Sequence, residues 1–316
     1  MQRIEAWFLD RVVSLVLPRR TAGLGSPPRD RHAYVTLLTS ENYLDGVLAL
    51  EASLRRCGCV YPLWVVLGEQ IGPACEKRLA EAGIPTCRMP PFRVPLDPEL
   101  VALNESLGYS HWTQTYDRLA FFSMTRWRKI VSIDSDMMVV RNTDGLFDTP
   151  HLSAVAAGRS YPGNEDWVDL SGGLIVIEPR EGVADALAAV VPQLFAEAHA
   201  RGERQPIGDQ QVFNAYFDDW PRRPDLHLPE GYNLFLDHLD HYIRTDVLPR
   251  GQDGRPELFI VHYAGGRKPW QYSTSRLLRE CYYHLRKGKP RAALHLLAYG
   301  ALIRLARAGA SSQDRG

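Results

Sequence analysis

From residue 33 onward, short apolar runs alternate with stretches in which apolar positions recur every three or four residues. Residues 33–39 form an apolar, β-branched run read as a buried strand, and Tyr43, Val47, Leu50 and Leu54 then recur at helical spacing. A second strand follows over residues 62–67 and a second helix over 74–82. This β-α-β-α order predicts an α/β fold with a mostly parallel sheet flanked by helices. A further helix is expected over 115–126, leading into a strand over 129–133. Residues 174–177 and 258–261 read as additional strands, and Gly208 opens a helix over 211–217. The loop 158–170 carries Glu165, Asp166, Trp167 and Asp169, a mix that suits a polar ligand as readily as solvent.

The flanks differ from this pattern. Residues 1–17 are apolar in patches, and 18–32 are rich in Pro, Arg and Gly and read as a linker. Residues 277–308 alternate Leu, Tyr and Ile with Arg and Lys at helical spacing, broken at Pro290. Basic amphipathic helices of this kind lie on membranes or dock partners, and more often pack on their own domain. The expected organisation is an N-terminal helix and linker (1–32), a central catalytic α/β domain (33–272) and C-terminal amphipathic helices with a tail (273–316).

A chain of 316 residues with 45% hydrophobic content can bury a substantial core. Its 37 basic and 37 acidic residues cancel, so no global field recruits nucleic acid, and any anion site must be local. The five cysteines show no zinc-ligand spacing; Cys57 and Cys59 read as incidental, and a reducing, cytoplasmic setting fits best. Asp10 and Arg11 interrupt the N-terminal apolar stretch, which argues against a secretory signal, and nowhere do about 18 apolar residues run together as a membrane span requires. A soluble protein, at most peripheral at a membrane, is expected.

The candidate chemistry begins where the strand over 129–133 ends, at Asp134-Ser135-Asp136. Side chains two apart on a strand share a face, so both carboxylates can converge on one hard divalent cation, which keeps positions open for phosphate oxygens. In open α/β sheets ligands sit outside the carboxyl ends of strands, where this pair falls.

Six segments taken in order resemble the glycogenin-like retaining glycosyltransferases, glycosyltransferase family 8. They are the run from Val35 to Tyr43, Tyr116-Asp117-Arg118-Leu119, Ile133 to Asp136, Ser171-Gly172-Gly173, Gly208-Asp209-Gln210, and the stretch from His262 to Trp270 with its His-x-x-Gly-x-x-Lys-Pro-Trp pattern. The resemblance covers about residues 33–272. It implies a single GT-A type nucleotide-sugar-binding domain, a UDP-sugar donor and a divalent cation, usually manganese. By the same resemblance Asp134, Asp136 and His262 are the metal ligands, an oxygen and nitrogen set that suits Mn²⁺ better than Ca²⁺. Gly265 and Gly266 would let backbone approach phosphate, and Lys268 would supply a point charge to the departing diphosphate. Arg118 stands where the family has a basic residue and can fork onto phosphate or a sugar hydroxyl. Leu38, Thr39, Ser40 and Tyr43 resemble the part that cups uracil and ribose, with Ser135 beside the donor. Asp209 and Gln210 would lie beside the anomeric carbon, with Ser171 and Gly172 at the sugar.

Where the family commonly has Asn-Ser-Gly, this chain has Ser171-Gly172-Gly173, and Pro206 replaces an acidic residue, so the resemblance leaves the sugar open. UDP-glucose or a close relative is the expected donor and the acceptor an unidentified hydroxyl, on carbohydrate, lipid-linked sugar or protein. Tyr232-Asn233 matches a family pair near which a tyrosine is self-glycosylated, and Tyr242 lies in a similar place. A homodimer and a peripheral membrane contact through the terminal helices stay open. Two other readings compete: a non-catalytic UDP-sugar-binding protein, and a haloacid-dehalogenase-type phosphatase. The phosphatase fits poorly, because Met138 stands where its first motif wants Thr or Val and no second carboxylate follows Asp209.

Overall fold

Val35, Val65, Val66, Ile130, Val131 and Val176 are all fully buried, so the strands that carry them lie in the middle of the molecule, covered on both faces. The computed structural model describes residues 2–17, 29–90, 92–109 and 112–312; residues 18–28 of the expected linker lie outside the described residues. The strands are β1 (His32–Leu38), β2 (Leu63–Leu67), β3 (Thr86–Arg88), β4 (Lys129–Ile133), β5 (Met137–Val139), β6 (Leu174–Ile177), β7 (Leu234–Phe235) and β8 (Ile260–His262). The helices are α1 (Gln2–Ser14), α2 (Leu44–Arg56), α3 (Pro73–Glu81), α4 (Pro98–Ser106), α5 (Trp112–Thr115), α6 (Val183–Ala200), α7 (Asp209–Tyr216), α8 (Leu239–Arg244), α9 (Thr274–Arg286) and α10 (Pro290–Ser312).

A five-stranded sheet has the order β3-β2-β1-β4-β6. It is parallel except at β6, which runs antiparallel to β4 with Ile133 opposite Leu174. The α/β, mostly parallel architecture is therefore the one expected. The strand expected over 258–261 is β8, two residues further on at its start, and it belongs to a second, small sheet of order β5-β8-β7 that the periodicity did not reveal. Its strands are two or three residues long, too short for any period to show.

The helix expected over 115–126 is instead the short α5 followed by a 3₁₀ segment, Tyr116–Ser123. Leu119, Ala120, Phe121 and Phe122 are all buried there, so the segment is covered on every side. A one-faced amphipathic helix cannot bury four consecutive residues.

The terminal helices pack on the domain: α10 lies against α1, α2 and α9. Gly300 admits α9 closely, since a methyl there would meet Leu277 Cδ2 at 2.5 Å. Asp240 of α8 caps the start of α10, accepting from the Arg291 and Ala292 amides at 3.1 and 2.8 Å. One turn on, burial pushes the His295 imidazole down to about 4, opposed by Asp240. Its Nδ1 has no hydrogen-bond partner. Above the unfolded value, near 6.5, both states are neutral and the group is silent. As pH falls from there to about 4 the unfolded chain takes the proton first, so stability declines, and below about 4 the loss is complete. Melting curves of wild type and His295→Leu should thus diverge between pH 6.5 and 4, the variant losing less by on the order of 2–3 kcal/mol. Parallel curves would refute this assignment.

Candidate functional site

β4 ends at Ile133, and the next three residues bridge the two sheets. The Asp134 amide donates to the Gly173 carbonyl at 3.0 Å, on the β6 side, while the Asp136 carbonyl accepts from the Tyr263 amide at 2.9 Å, on the β8 side. Register places Met137 opposite His262. Asp134, Asp136 and His262 thereby converge, with one ligand atom from each within 4.8 Å of the others.

His262 Nε2 lies 3.3 Å from Asp136 Oδ1, while its Nδ1 meets Asn233 Oδ1 at 2.9 Å. With the Nδ1 proton given to the amide oxygen, Nε2 offers a lone pair to a carboxylate oxygen, a contact that needs a proton or a cation between them. Two carboxylates and an imidazole so arranged fit a borderline divalent ion such as Mn²⁺.

Two cations border the cluster. Lys268 Nζ donates to Asp136 Oδ2 at 2.6 Å. Arg118 donates to Asp134 Oδ1 and to the Gly172 carbonyl, each at 2.5 Å. Its Nε approaches Asp209 Oδ2 at 3.3 Å without hydrogen-bond alignment, so that buried oxygen keeps no hydrogen bond. Burial raises the Asp134 carboxyl above its ordinary range, and the Asp136 charge adds to this against the pull of Arg118. For Asp136 burial is outweighed by His262, when its ring carries a second proton in place of a cation, and by Lys268, which hold it well below that range. Three carboxylates against two permanent cations leave this site one negative charge in excess, which favours a divalent cation ahead of a diphosphate.

Asp209 starts α7 and is buried, and the Gly208 amide is closed by Gln211 Oε1 at 2.9 Å. Gln210 Oε1 accepts from the Gly172 amide at 3.0 Å, so Gln210, Gly172 and Arg118 meet at one point. The Ser171 hydroxyl accepts from Asn233 Nδ2 at 3.1 Å and keeps its own proton to donate. A methyl on Gly173 would meet Met137 Cε at 2.7 Å and Asn233 Nδ2 at 3.2 Å, so a side chain there would have to displace both.

On the donor side, the Leu38 side chain is fully buried and its carbonyl accepts from the Gly68 amide at 2.9 Å. Thr39 lines a cavity of about 390 Å³ at the carboxyl ends of β1, β2 and β3, together with Glu69, Met89, Arg93, Gln114 and Asp117. A cavity of about 430 Å³ between Arg126 and Asp185 contains none of the predicted residues. Tyr43 is half-buried, edge-on to Trp270 at 5.5 Å, and Trp270 Nε1 donates to the Asn42 carbonyl at 2.7 Å. Ser135 is buried, and its carbonyl would touch a methyl on Gly46 at 2.7 Å. Gly265 takes φ of +122°, open to side-chain space but not to an L-residue's backbone preference. Tyr242 is fully buried with its hydroxyl bonded to Glu230, which removes it as a self-glycosylated acceptor in this conformation.

Sequence reasoning named Asn233 only as half of a pair and gave it no part in the site; a lone polar residue before a two-residue strand carries no periodic signal. It is 0% exposed and touches His262. The segment that carries it is held by Gly231, where a methyl would come 1.8 Å from the Glu257 carbonyl. Gly231→Ala should therefore lower stability by about 1–3 kcal/mol or more in urea unfolding. An unchanged midpoint would contradict this close approach.

Comparison with known proteins points the same way as this geometry. The sequence profile described as glycosyl transferase family 8 matches residues 34–274. The chain is 30% identical over 270 residues to a putative UDP-glucuronate:xylan alpha-glucuronosyltransferase 5 of Arabidopsis thaliana, covering 84% of this chain and 41% of that protein. It is 27% identical to glycogenin-1 of Caenorhabditis elegans, covering 77% and 52%, and 29% identical to glycogenin-1 of Homo sapiens, covering 76% and 63%. The chain thus spans less than two thirds of the length of each of these relatives. Among solved structures, galactosyltransferase LgtC overlays 81% of this chain and 95% of its own with a TM-score of 0.48 at 15% identity. With the family profile matched along most of its length, the chain belongs to glycosyl transferase family 8.

Proposed function

We propose that the protein transfers a hexose from a UDP-sugar to a hydroxyl acceptor with retention of configuration, using a divalent cation, Mn²⁺ by the donor set. The observation that carries this reading is the convergence of Asp134, Asp136 and His262 from two sheets, with Lys268 and Arg118 beside them. When bound, the cation supplies Lewis-acid neutralisation of the leaving diphosphate. Asp134, Asp136 and His262 would hold it, with Asn233 behind the imidazole. Lys268 is placed to move its charge from Asp136 towards the diphosphate as negative charge develops there. Asp209 Oδ2, which faces Arg118 without a hydrogen bond, is an acceptor for a sugar hydroxyl, and Gln210 and Gly172 border the same space. The cavity lined by Thr39, Glu69 and Arg93 fits the nucleoside, at the strand ends where such folds bind one.

Relatives of this chain bear the names of glucuronosyltransferases and of glycogenins. Here the guanidinium of Arg118 is engaged by Asp134, Asp209 and the Gly172 carbonyl, which favours a neutral hexose such as glucose over a glucuronate. The test is a panel of UDP-sugars with Mn²⁺, read by UDP release and by the protein's intact mass. UDP-glucose should give the fastest release, with no hexose mass added at Tyr242. UDP bound with no release from any donor, whatever acceptor is offered, would favour the non-catalytic binding reading.

No helix among the described residues is long and apolar enough to cross a membrane. The α9 helix nevertheless turns a second apolar stripe outward: Leu278, Tyr282 and Leu285 are 56%, 60% and 54% exposed, beside Arg279 and Arg286. We infer that this face rests on an anionic bilayer, since two such basic faces repel in a symmetric dimer. The full chain should sediment with phosphatidylserine-containing vesicles and not with phosphatidylcholine alone. Dimerisation in solution through this face, or no vesicle binding, would overturn the inference.

A further inference from the structure

We propose that Asn233 is a positioning residue that sets the tautomer of the His262 imidazole, so that Nε2 presents a lone pair towards Asp136 and the cation. The inference rests on the divalent-cation reading above and gives a task to the residue behind the imidazole, to which the resemblance assigns none at the cation.

A histidine ligand binds through one ring nitrogen and must place the proton of the other somewhere. In this chain the only hydrogen-bonding group that the described structure sets against His262 Nδ1 is the Asn233 side-chain oxygen, at 2.9 Å. Asn233 is 0% exposed, so no solvent replaces that acceptor if it is lost. Its own amide nitrogen is held by the Ser171 hydroxyl at 3.1 Å, which accepts from it and leaves the oxygen facing the ring. Ser171 thus acts through Asn233.

Packing fixes the ring as well as its proton. A methyl on Gly173 would meet both Asn233 Nδ2 and His262 Cε1 at 3.2 Å, and Phe235 lies against the imidazole with ring centres 5.4 Å apart. The backbone of Asn233 is tied to the Glu230 carbonyl at 3.1 Å, just before β7 pairs with β8 beside His262. The ring therefore has little room to turn over, and choosing which nitrogen carries the proton falls to the amide.

The test uses the full chain without donor, measuring Mn²⁺ affinity from the free-ion electron paramagnetic resonance signal. Wild type and Asn233→Asp both keep an acceptor at Nδ1 and should bind within a few-fold of each other. Asn233→Leu removes the acceptor and should bind about 10–100-fold more weakly. A second readout needs no metal: long-range ¹H–¹⁵N spectra of the His262 ring should show the Nδ1-protonated tautomer enriched in Asn233→Asp. Leucine binding as tightly as wild type would overturn the proposal, and so would aspartate losing Mn²⁺ as leucine does, even if leucine proves unstable. Should wild type itself bind no Mn²⁺, the divalent-cation reading fails first, which the silence of all three proteins would make plain.

Discussion

Asp136→Asn is expected to abolish Mn²⁺-dependent UDP release, with kcat/KM falling on the order of a thousandfold or more, about 4 kcal/mol of transition-state stabilisation. The substitution keeps the shape of the side chain and removes its charge. His262 Nε2 and Lys268 Nζ both face that carboxylate, at 3.3 and 2.6 Å, from positions that are themselves buried. The variant therefore weakens the cation site and strands an ammonium without its counter-ion. Activity should be compared well below the melting temperature, so that lost folding is not read as lost chemistry. Full activity in this variant would remove Asp136 from the account.

The second large effect is on stability. Arg118→Met should destabilise the protein by about 3–5 kcal/mol, because it leaves buried carboxylates without their partner. Arg118 joins Asp134, Asp209 and the Gly172 carbonyl, and so ties the β4 exit to the start of α7 and to the turn before β6. Mn²⁺ should restore part of the loss, since an ion bound to the native state alone stabilises it and here also faces Asp134. Arg118→Lys keeps a charge and loses the fork, so it should fall between the two. Urea midpoints with and without Mn²⁺ decide the matter. A midpoint unmoved by Arg118→Met would mean that the two aspartates need no partner.

Strand-and-helix alternation over the first hundred residues was legible because β1 and β2 are buried along their length and read as apolar runs. The aspartate pair was legible for the same reason, standing where the apolar run of β4 stops. Of the small sheet, which delivers His262, only β8 was legible, as the apolar run over 258–261: β5 and β7 are shorter than any repeat, and pairing between Met137 and His262 spans more than a hundred residues. The motif of Arg118 placed it in the site but did not show that its donors also reach neighbouring carboxylates and a carbonyl. The Ser171 motif likewise gave no sign of its bond to Asn233. In each case the residue type announced a polar site, and its partner depended on a distant segment that local pattern does not specify.

A divalent cation shared by Asp134, Asp136 and His262 would receive the nucleotide diphosphate. Calorimetric titration of UDP into the protein, with Mn²⁺ and with chelator, decides whether it does. Tight binding with Mn²⁺, lost with chelator and lost in Asp136→Asn, is the predicted result. UDP binding equally well with and without the metal, or undiminished in that variant, would contradict it.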